Sequence, residues 1–457
     1  MHEWSPLRYR RVASLAEGGG PQRLCASRIE ARRAGPSDGR QKRALITTPI
    51  AHLLTATDRA GIEARLAERF SPPAVAELLA ARHSRLLALE VDSMSRADDL
   101  AATLAAAGGT ARSAGSLVAA VLTPAVLAAA RRARPDLGAE FDAFAATLGA
   151  ALEPPRTFRL RDRRLDLDGE ARVMGILNVT PDSFYERVDG VREALARARA
   201  MAADGAALID IGGQSYAHWN PRIAADEECR RVVPVVAAIV AAGIDIALSI
   251  DTFKASVADA ALAAGAHLIN DCSGLSDPRL PDTVARYDAA LVVMHLKGEL
   301  NVRAADSYVY ADALAEIVEF LYERTEQARA AGVARESIAI DPGLEFGKEP
   351  ETDLEILDRF GELTALGYPI LFASSRKSFI GRIFNRSAKE LLVPSLATAG
   401  LGITAGARML RVHDVAETVQ LARMYAAVGL RRRRGLTVAG AMPGTPGAGN
   451  SAAPNTV

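Results

Sequence analysis

Cysteine is scarce in this chain. The three present among 457 residues, Cys25, Cys229 and Cys272, lie far apart and have no metal-ligand spacing, so a reduced, cytoplasmic protein is the default. An excess of either charge is also lacking. Lys+Arg and Asp+Glu number 55 each, which leaves no global field to recruit nucleic acid or a membrane surface. No unbroken apolar run is long enough to span a bilayer. A Gly-rich phosphate loop after the first buried strand is missing as well, and that argues against a doubly wound open sheet.

What is present is a repeat. An apolar run, Val173-Met174-Gly175-Ile176-Leu177, gives way abruptly to the polar Asn178-Val179-Thr180-Pro181-Asp182-Ser183-Phe184. The same change, buried strand into polar loop, recurs at Ala207–Gly213, Ile246–Thr252, His267–Asp271, Ala290–His295, Ile338–Gly343, Pro369–Ser378 and Arg408–Asp414. Ala-rich amphipathic stretches of helical period lie between them, for example 191–204, 255–264 and 310–331. Strand then helix, repeated eight times over roughly 250 residues, predicts a (β/α)8 (TIM) barrel.

Length alone calls for more than one domain. Residues 1–50 are rich in Arg and Gly, poor in acids and without period, and read as a disordered tail. Residues 55–152 read as a small α/β N-terminal domain, with helices expected at 73–81, 97–107, from Pro124, and at 137–152, and strands at 86–91 and 117–122. Its only notable ionisable side chain, His83, fits an exposed helix end. The barrel spans 156–430. A β-hairpin at 157–167 is placed to plug its N-terminal mouth, and 431–457 is a Gly/Pro/Ala-rich disordered tail opened by Arg431 to Arg434.

In such a barrel the C-terminal strand ends converge on one face, which gathers Asn178, Asp210, Asp251, Asn270, His295, Asp341, Lys377, Arg411 and His413. Any one of them could simply cap a helix. Nine at the ends of buried strands are hard to explain that way, because each polar group is expensive to place there. Asp251, Asn270 and Asp341 suit a flat heterocycle with several N–H donors, and Lys377 could donate to a ring carbonyl. Asn178, Arg411 and His413 suit an anion such as pyrophosphate, with room for a hard cation held by an Asn oxygen and phosphate oxygens. Cys272 has no evident base beside it and reads as packing.

These motifs together resemble dihydropteroate synthase: Asn178 to Phe184, Ile250-Asp251-Thr252, Ile269-Asn270-Asp271, Met294-His295, Asp341-Pro342-Gly343, Ser375-Arg376-Lys377-Ser378 and Arg411-Val412-His413-Asp414, in the family's order. The resemblance covers about residues 156 to 428, and 55–152 more faintly resembles an N-terminal extension of longer members. It implies condensation of 6-hydroxymethyl-7,8-dihydropterin diphosphate with p-aminobenzoate to 7,8-dihydropteroate and pyrophosphate, with Lys377, Asp251 and Asp341 central to the chemistry. It also implies pterin binding by Asp251, Asn270, Met294, Asp341 and Lys377, and diphosphate binding by Asn178, Arg411 and His413. Phe346, Lys377 and Ser378 would shape the aminobenzoate pocket, and Asn178 would serve Mg2+. Family members are commonly dimers through barrel helices, which makes a homodimer an expectation.

Departures from the family pattern cluster in the loops. Gln214-Ser215-Tyr216-Ala217-His218-Trp219 stands where Glu-Ser-Thr-Arg-Pro-Gly is usual, so an Arg, a Thr and a Pro are replaced. Tyr185-Glu186-Arg187-Val188 stands for Ser-Asp-Gly-Gly, Leu344-Glu345 for Phe-Gly, and Ala373 for Gly. Arg187 or Arg222 could stand in for the lost Arg. The rewritten loops keep two alternatives open, a pterin-binding paralogue without synthase activity and a transferase that uses another acceptor.

Overall fold

The computed structural model describes residues 52–54, 59–80, 85–180, 190–216, 220–300 and 308–434. His83, the loop 185–188, Ala217, His218, Trp219, residues 1–50 and the C-terminal stretch from 435 lie outside these.

The first part is an antiparallel sheet of β1 (His52–Leu53), β2 (Arg85–Glu90), β3 (Thr110–Ala114) and β4 (Leu117–Leu122), in the order β1-β2-β4-β3. Helices α1 (Arg59–Ala67), α2 (Pro72–Ala80), α3 (Met94–Ala106), α4 (Pro124–Ala133) and α5 (Gly138–Leu152) cover it. Period-two alternation explains why both faces are covered. Leu87, Leu89, Val118 and Ala120 enter one core with α3, α4 and α5, while Leu86, Ala119 and Val121 enter another with Leu66, Val75 and Leu78. Ser93 and Thr123 cap α3 and α4 by accepting from the N–H groups of Arg96 (3.2 Å) and Val126 (3.3 Å). β3 was not expected. Thr-Ala-Arg-Ser-Ala carries little apolar signal, and its pairing with β4 supplies what its propensity lacks.

Next comes the hairpin β5 (Thr157–Leu160) and β6 (Arg163–Asp166). The eight repeats follow as parallel strands β7 (Arg172–Asn178), β8 (Leu208–Gly212), β9 (Ala247–Asp251), β10 (Leu268–Asp271), β11 (Ala290–Met294), β12 (Ile338–Asp341), β13 (Leu371–Phe372) and β14 (Met409–Val412). Sheet order is β12-β11-β10-β9-β8-β7-β14-β13, and a parallel bridge between Ile340 and Ile370 joins the two ends into a barrel. The helices are α6 (Gly190–Ala203), α7 (Ala225–Ala241), α8 (Ala255–Ala263), α9 (Leu280–Arg286), α10 (Ala313–Ala330), α11 (Pro350–Arg359), α12 (Ser378–Phe384), α13 (Leu392–Ala405) and α14 (Val415–Arg434). Helix α14 runs on through Arg431 to Arg434, so the tail expected from 431 is shorter; arginine is a good helix former and no Gly or Pro intervenes before Gly435.

Alternation also divides the barrel. Outward residues such as Val173, Leu177, Ile209, Ile211, Leu248 and Ile250 join the helices in the main core. The lower interior is apolar: Met174, Leu208, Ala247, Leu268, Ala290 and Met409 pack with Phe158, Leu160 and Leu167. The hairpin therefore does plug the N-terminal mouth. Polar side chains are left only the upper interior. Among the described residues no helix is long and apolar enough to cross a membrane.

Candidate active site

Asp210 is fully buried one layer below the rim, level with Ile176 and Ser249 on the adjacent strands. Three donors surround its carboxylate. Ser249 Oγ donates to Oδ1 (2.5 Å), while Asn270 Nδ2 (3.0 Å) and Arg411 Nε (2.6 Å) donate to Oδ2. Arg411 uses a second nitrogen, Nη2, on Asp251 Oδ2 at 2.7 Å. One guanidinium thus bridges two buried carboxylates. Burial opposes its charge, yet Asp210 and Asp251 outweigh that and hold its pKa above the ordinary value. Ser249 carried no functional signal beyond its place two residues before Asp251, on the same strand face.

Asp251 lies higher, level with Gly212 and Asn270. Burial, opposed by Arg411 and reinforced by Asp210, pushes its carboxyl up to about 7. From the described residues its Oδ1 accepts no N–H or O–H hydrogen bond. The Cys272 thiol beside it is a weak donor. A buried acceptor without a strong donor is what a donor-rich ligand would satisfy. Asp341, also buried, accepts from Gly343 N (2.7 Å), and burial raises its pKa while Lys377 lowers it.

The β12–α11 loop forms one wall. Lys377 Nζ donates to Leu344 O (2.6 Å) and lies 5.1 Å from the Phe346 ring centre. Ser378, exposed, donates through Oγ to Glu345 Oε1 (2.7 Å), and Phe379 N donates to the same oxygen (2.7 Å). Glu345 has φ +69°, left-handed backbone that favours glycine. The Phe346 ring joins a small apolar cluster with Met294, Cys272, Tyr216, Phe253 and Leu300. Tyr216 fills part of this space and donates to Asp251 O (3.3 Å). Burial raises the Cys272 thiol pKa well above its ordinary value, in keeping with a packing role.

Just past the end of β14, His413 Nδ1 meets Ser375 Oγ at 3.2 Å. Burial, then Arg411, Arg376 and Lys377, hold its pKa down at about 3, so it acts as a neutral hydrogen-bonding group. Arg376, the second residue of its motif, is 4% exposed and faces away from any ligand: it grips Asp414 through Nε (2.8 Å) and Nη2 (2.6 Å). Asn178 closes β7 beside Gly212, where a Cβ would come 3.0 Å from Asn178 Oδ1. The missing side chain leaves the space between Asn178 and Asp251 open. Asn178 offers a single hard oxygen, and among the described residues no group of three His, Cys, Asp or Glu could hold a metal. A lone amide oxygen can hold a hard cation only where a bound ligand brings further oxygens of its own.

His295 belongs to another group. Its Nδ1 accepts from buried Lys348 (2.8 Å) and its ring meets Phe320 edge-on. Burial and Lys348 hold its pKa down at about 2. Lys348 also donates to Gly343 O (2.7 Å) and Phe346 O (3.0 Å), bracing the loop from below. Gln214 likewise turns outward, accepting from Lys254 Nζ (2.7 Å) and Ile223 N (3.2 Å). Arg222 donates to Leu300 O (2.8 Å) at the edge of the apolar cluster, while Arg187 lies outside the described residues.

Residues 174–413 match the family model described as pterin binding enzyme. The chain is 40% identical over 259 residues to the dihydropteroate synthase of Bacillus subtilis, covering 56% of this chain and 88% of that protein. Among solved structures, it is similar to the Yersinia pestis dihydropteroate synthase in complex with a sulfonamide drug, at TM-score 0.58 and 37% identity, covering 60% of this chain and 99% of the other. It is also similar to the Thermus thermophilus dihydropteroate synthase in complex with 4-aminobenzoate, at TM-score 0.53 and 39% identity, covering 60% and 100%.

Proposed function

Since the chain belongs to the dihydropteroate synthases of the pterin-binding enzyme family, with an N-terminal extension, we propose that it condenses 6-hydroxymethyl-7,8-dihydropterin diphosphate with p-aminobenzoate. The products are 7,8-dihydropteroate and pyrophosphate, which makes it a transferase of folate biosynthesis. One observation carries the assignment of the pterin floor: the buried Asp251 Oδ1, without an N–H or O–H partner among the described residues, beside Asn270, Asp210 and Arg411.

The pterin amino and ring N–H groups would donate to Asp251 and Asp341, and Lys377 to the ring carbonyl. Met294, at the end of β11, would pack against the ring, and Asn270 is held in place by Asp210. Arg411 Nη1 takes part in neither carboxylate bond. We assign it, with His413 and Asn178, to the diphosphate. Mg2+, held by Asn178 and phosphate oxygens, would neutralise charge on the departing pyrophosphate. As the methylene C–O bond breaks, the carboxylates tolerate positive charge on the pterin. The arylamine nitrogen then bonds to the methylene carbon and loses a proton. Phe346, Lys377 and Ser378 would line the pocket that holds the arylamine.

Pyrophosphate release by the full chain with pterin diphosphate and Mg2+, with and without p-aminobenzoate, tests this reading. Release should require p-aminobenzoate and fall at least a hundredfold in Lys377→Ala (about 3 kcal/mol of transition-state stabilisation). Pterin binding without turnover would instead mean a binding paralogue. We place the protein in the cytoplasm, in keeping with its free thiols Cys229 and Cys272. A homodimer is supported by the exposed Val393, Leu401, Met424 and Val428 on α13 and α14. A single-chain mass in equilibrium sedimentation would exclude it.

A further inference from the structure

The loop after β12 is built around Glu345 with unusual care. Three positions, Gly343, Glu345 and Gly347, are left-handed (φ +66°, +69° and +67°), and only the middle one bears a side chain. Asp353 Oδ1 accepts from Glu345 N (2.9 Å), Tyr310 Oη donates to Gly347 O (2.8 Å), and Lys348 holds Gly343 O and Phe346 O from beneath. These braces fix the backbone on both sides of Glu345 and aim its carboxylate at Ser378 Oγ and Phe379 N. An L-residue is strained in this conformation, and the two hydrogen bonds accepted by Oε1 offset part of that cost. Residues 344–346 thus grip 377–379 at three points: Leu344 O on Lys377 Nζ, the Phe346 ring beside the same ammonium, and Glu345 on the next two residues.

We infer that Glu345 sets acceptor specificity: its carboxylate takes up the Ser378 hydroxyl and the Phe379 N–H, and so disfavours an arylamine that carries a carboxylate to that wall relative to a neutral one. This rests on the placement of the acceptor at Phe346, Lys377 and Ser378 proposed above. Two like charges at a half-buried wall repel, and the hydroxyl that could have received the acceptor's carboxylate is already engaged. Glu345 acts through Ser378 and through the charge of the wall, as a positioning residue.

The test is Glu345→Gln in the full chain. The amide oxygen can still accept from Ser378 and Phe379, but the charge is gone. KM for p-aminobenzoate should fall about tenfold, equivalent to about 1.4 kcal/mol, while KM for the neutral p-aminobenzamide stays within about twofold and kcat changes little for either. Glu345→Gly, which relieves the left-handed strain, should shift the same ratio and guards against a folding artefact of the first variant. Parallel changes for the two acceptors, or none, would overturn the inference and leave Glu345 a structural brace. If wild type releases no pyrophosphate with either acceptor, the functional reading has failed. Equilibrium titration of both arylamines into wild type and Glu345→Gln then still reads the ratio, and an unchanged ratio or no binding of either would overturn the inference separately.

Discussion

Replacing Asp251 by Asn removes a charge that the fold itself disfavours. The carboxyl sits at about 7 in the protein against an ordinary 3.8, a difference of roughly three pH units and so about 4 kcal/mol. A carboxyl raised in this way stabilises the fold in its protonated form. That contribution is fully present below about pH 4 and is lost as pH rises through about 7. Asn does not titrate, so the stability of the variant relative to wild type should climb between pH 4 and 7 and level off above. The attraction of Arg411 Nη2 (2.7 Å) for the charged carboxyl is already contained in that raised value. Arg411 keeps Asp210 through Nε. The net expectation is that the variant gains about 3 kcal/mol on wild type between pH 4.5 and pH 8. Urea unfolding of both proteins at the two pH values measures it. A stability difference independent of pH, or a variant that loses ground as pH rises, would refute the electrostatic picture. The same substitution should abolish measurable pterin affinity, because the acceptor that the ring donors need has lost its charge. In wild type, that affinity should rise with pH up to about 7 and then flatten.

Arg376→Ala breaks a buried bidentate pair with Asp414 and should cost about 3–5 kcal/mol in urea unfolding; a loss under about 1 kcal/mol would mean the pair is dispensable. Phe158→Ala opens the plug at the far end of the barrel and should cost about 3–5 kcal/mol, without changing KM for either substrate in the protein that remains folded. A changed KM would show that the plug and the site are coupled.

The motif residues were legible because each stands at the end of a run apolar enough to be a buried strand. Asn178, Asp251, Asn270, Asp341 and Arg411 needed only the barrel to bring them together. Asp210 shares that signal, whereas Ser249, inside its run, does not. Their importance comes from the layer below the rim, where one carboxylate collects Ser249, Asn270 and Arg411. His295 shows the opposite outcome. It follows a strand like the others, yet one residue past the end of β11 its ring pairs with Lys348. Glu345 could be noticed from the sequence only as an oddity, since whether its carboxylate enters the pterin site or turns aside depends on a left-handed φ and on a segment some thirty positions later.

The sequence by itself determined the periodicities: eight apolar runs with polar ends, helices between them, a hairpin ahead of them. Those are local facts, set by which residues can line a pleated strand or one face of a helix. Tertiary structure alone decided which oxygen meets which nitrogen. Arg411 and Asp210 are 201 positions apart, and no local preference selects their 2.6 Å contact. Closing the barrel selects it, because burying either charge without the other would be too unfavourable to keep.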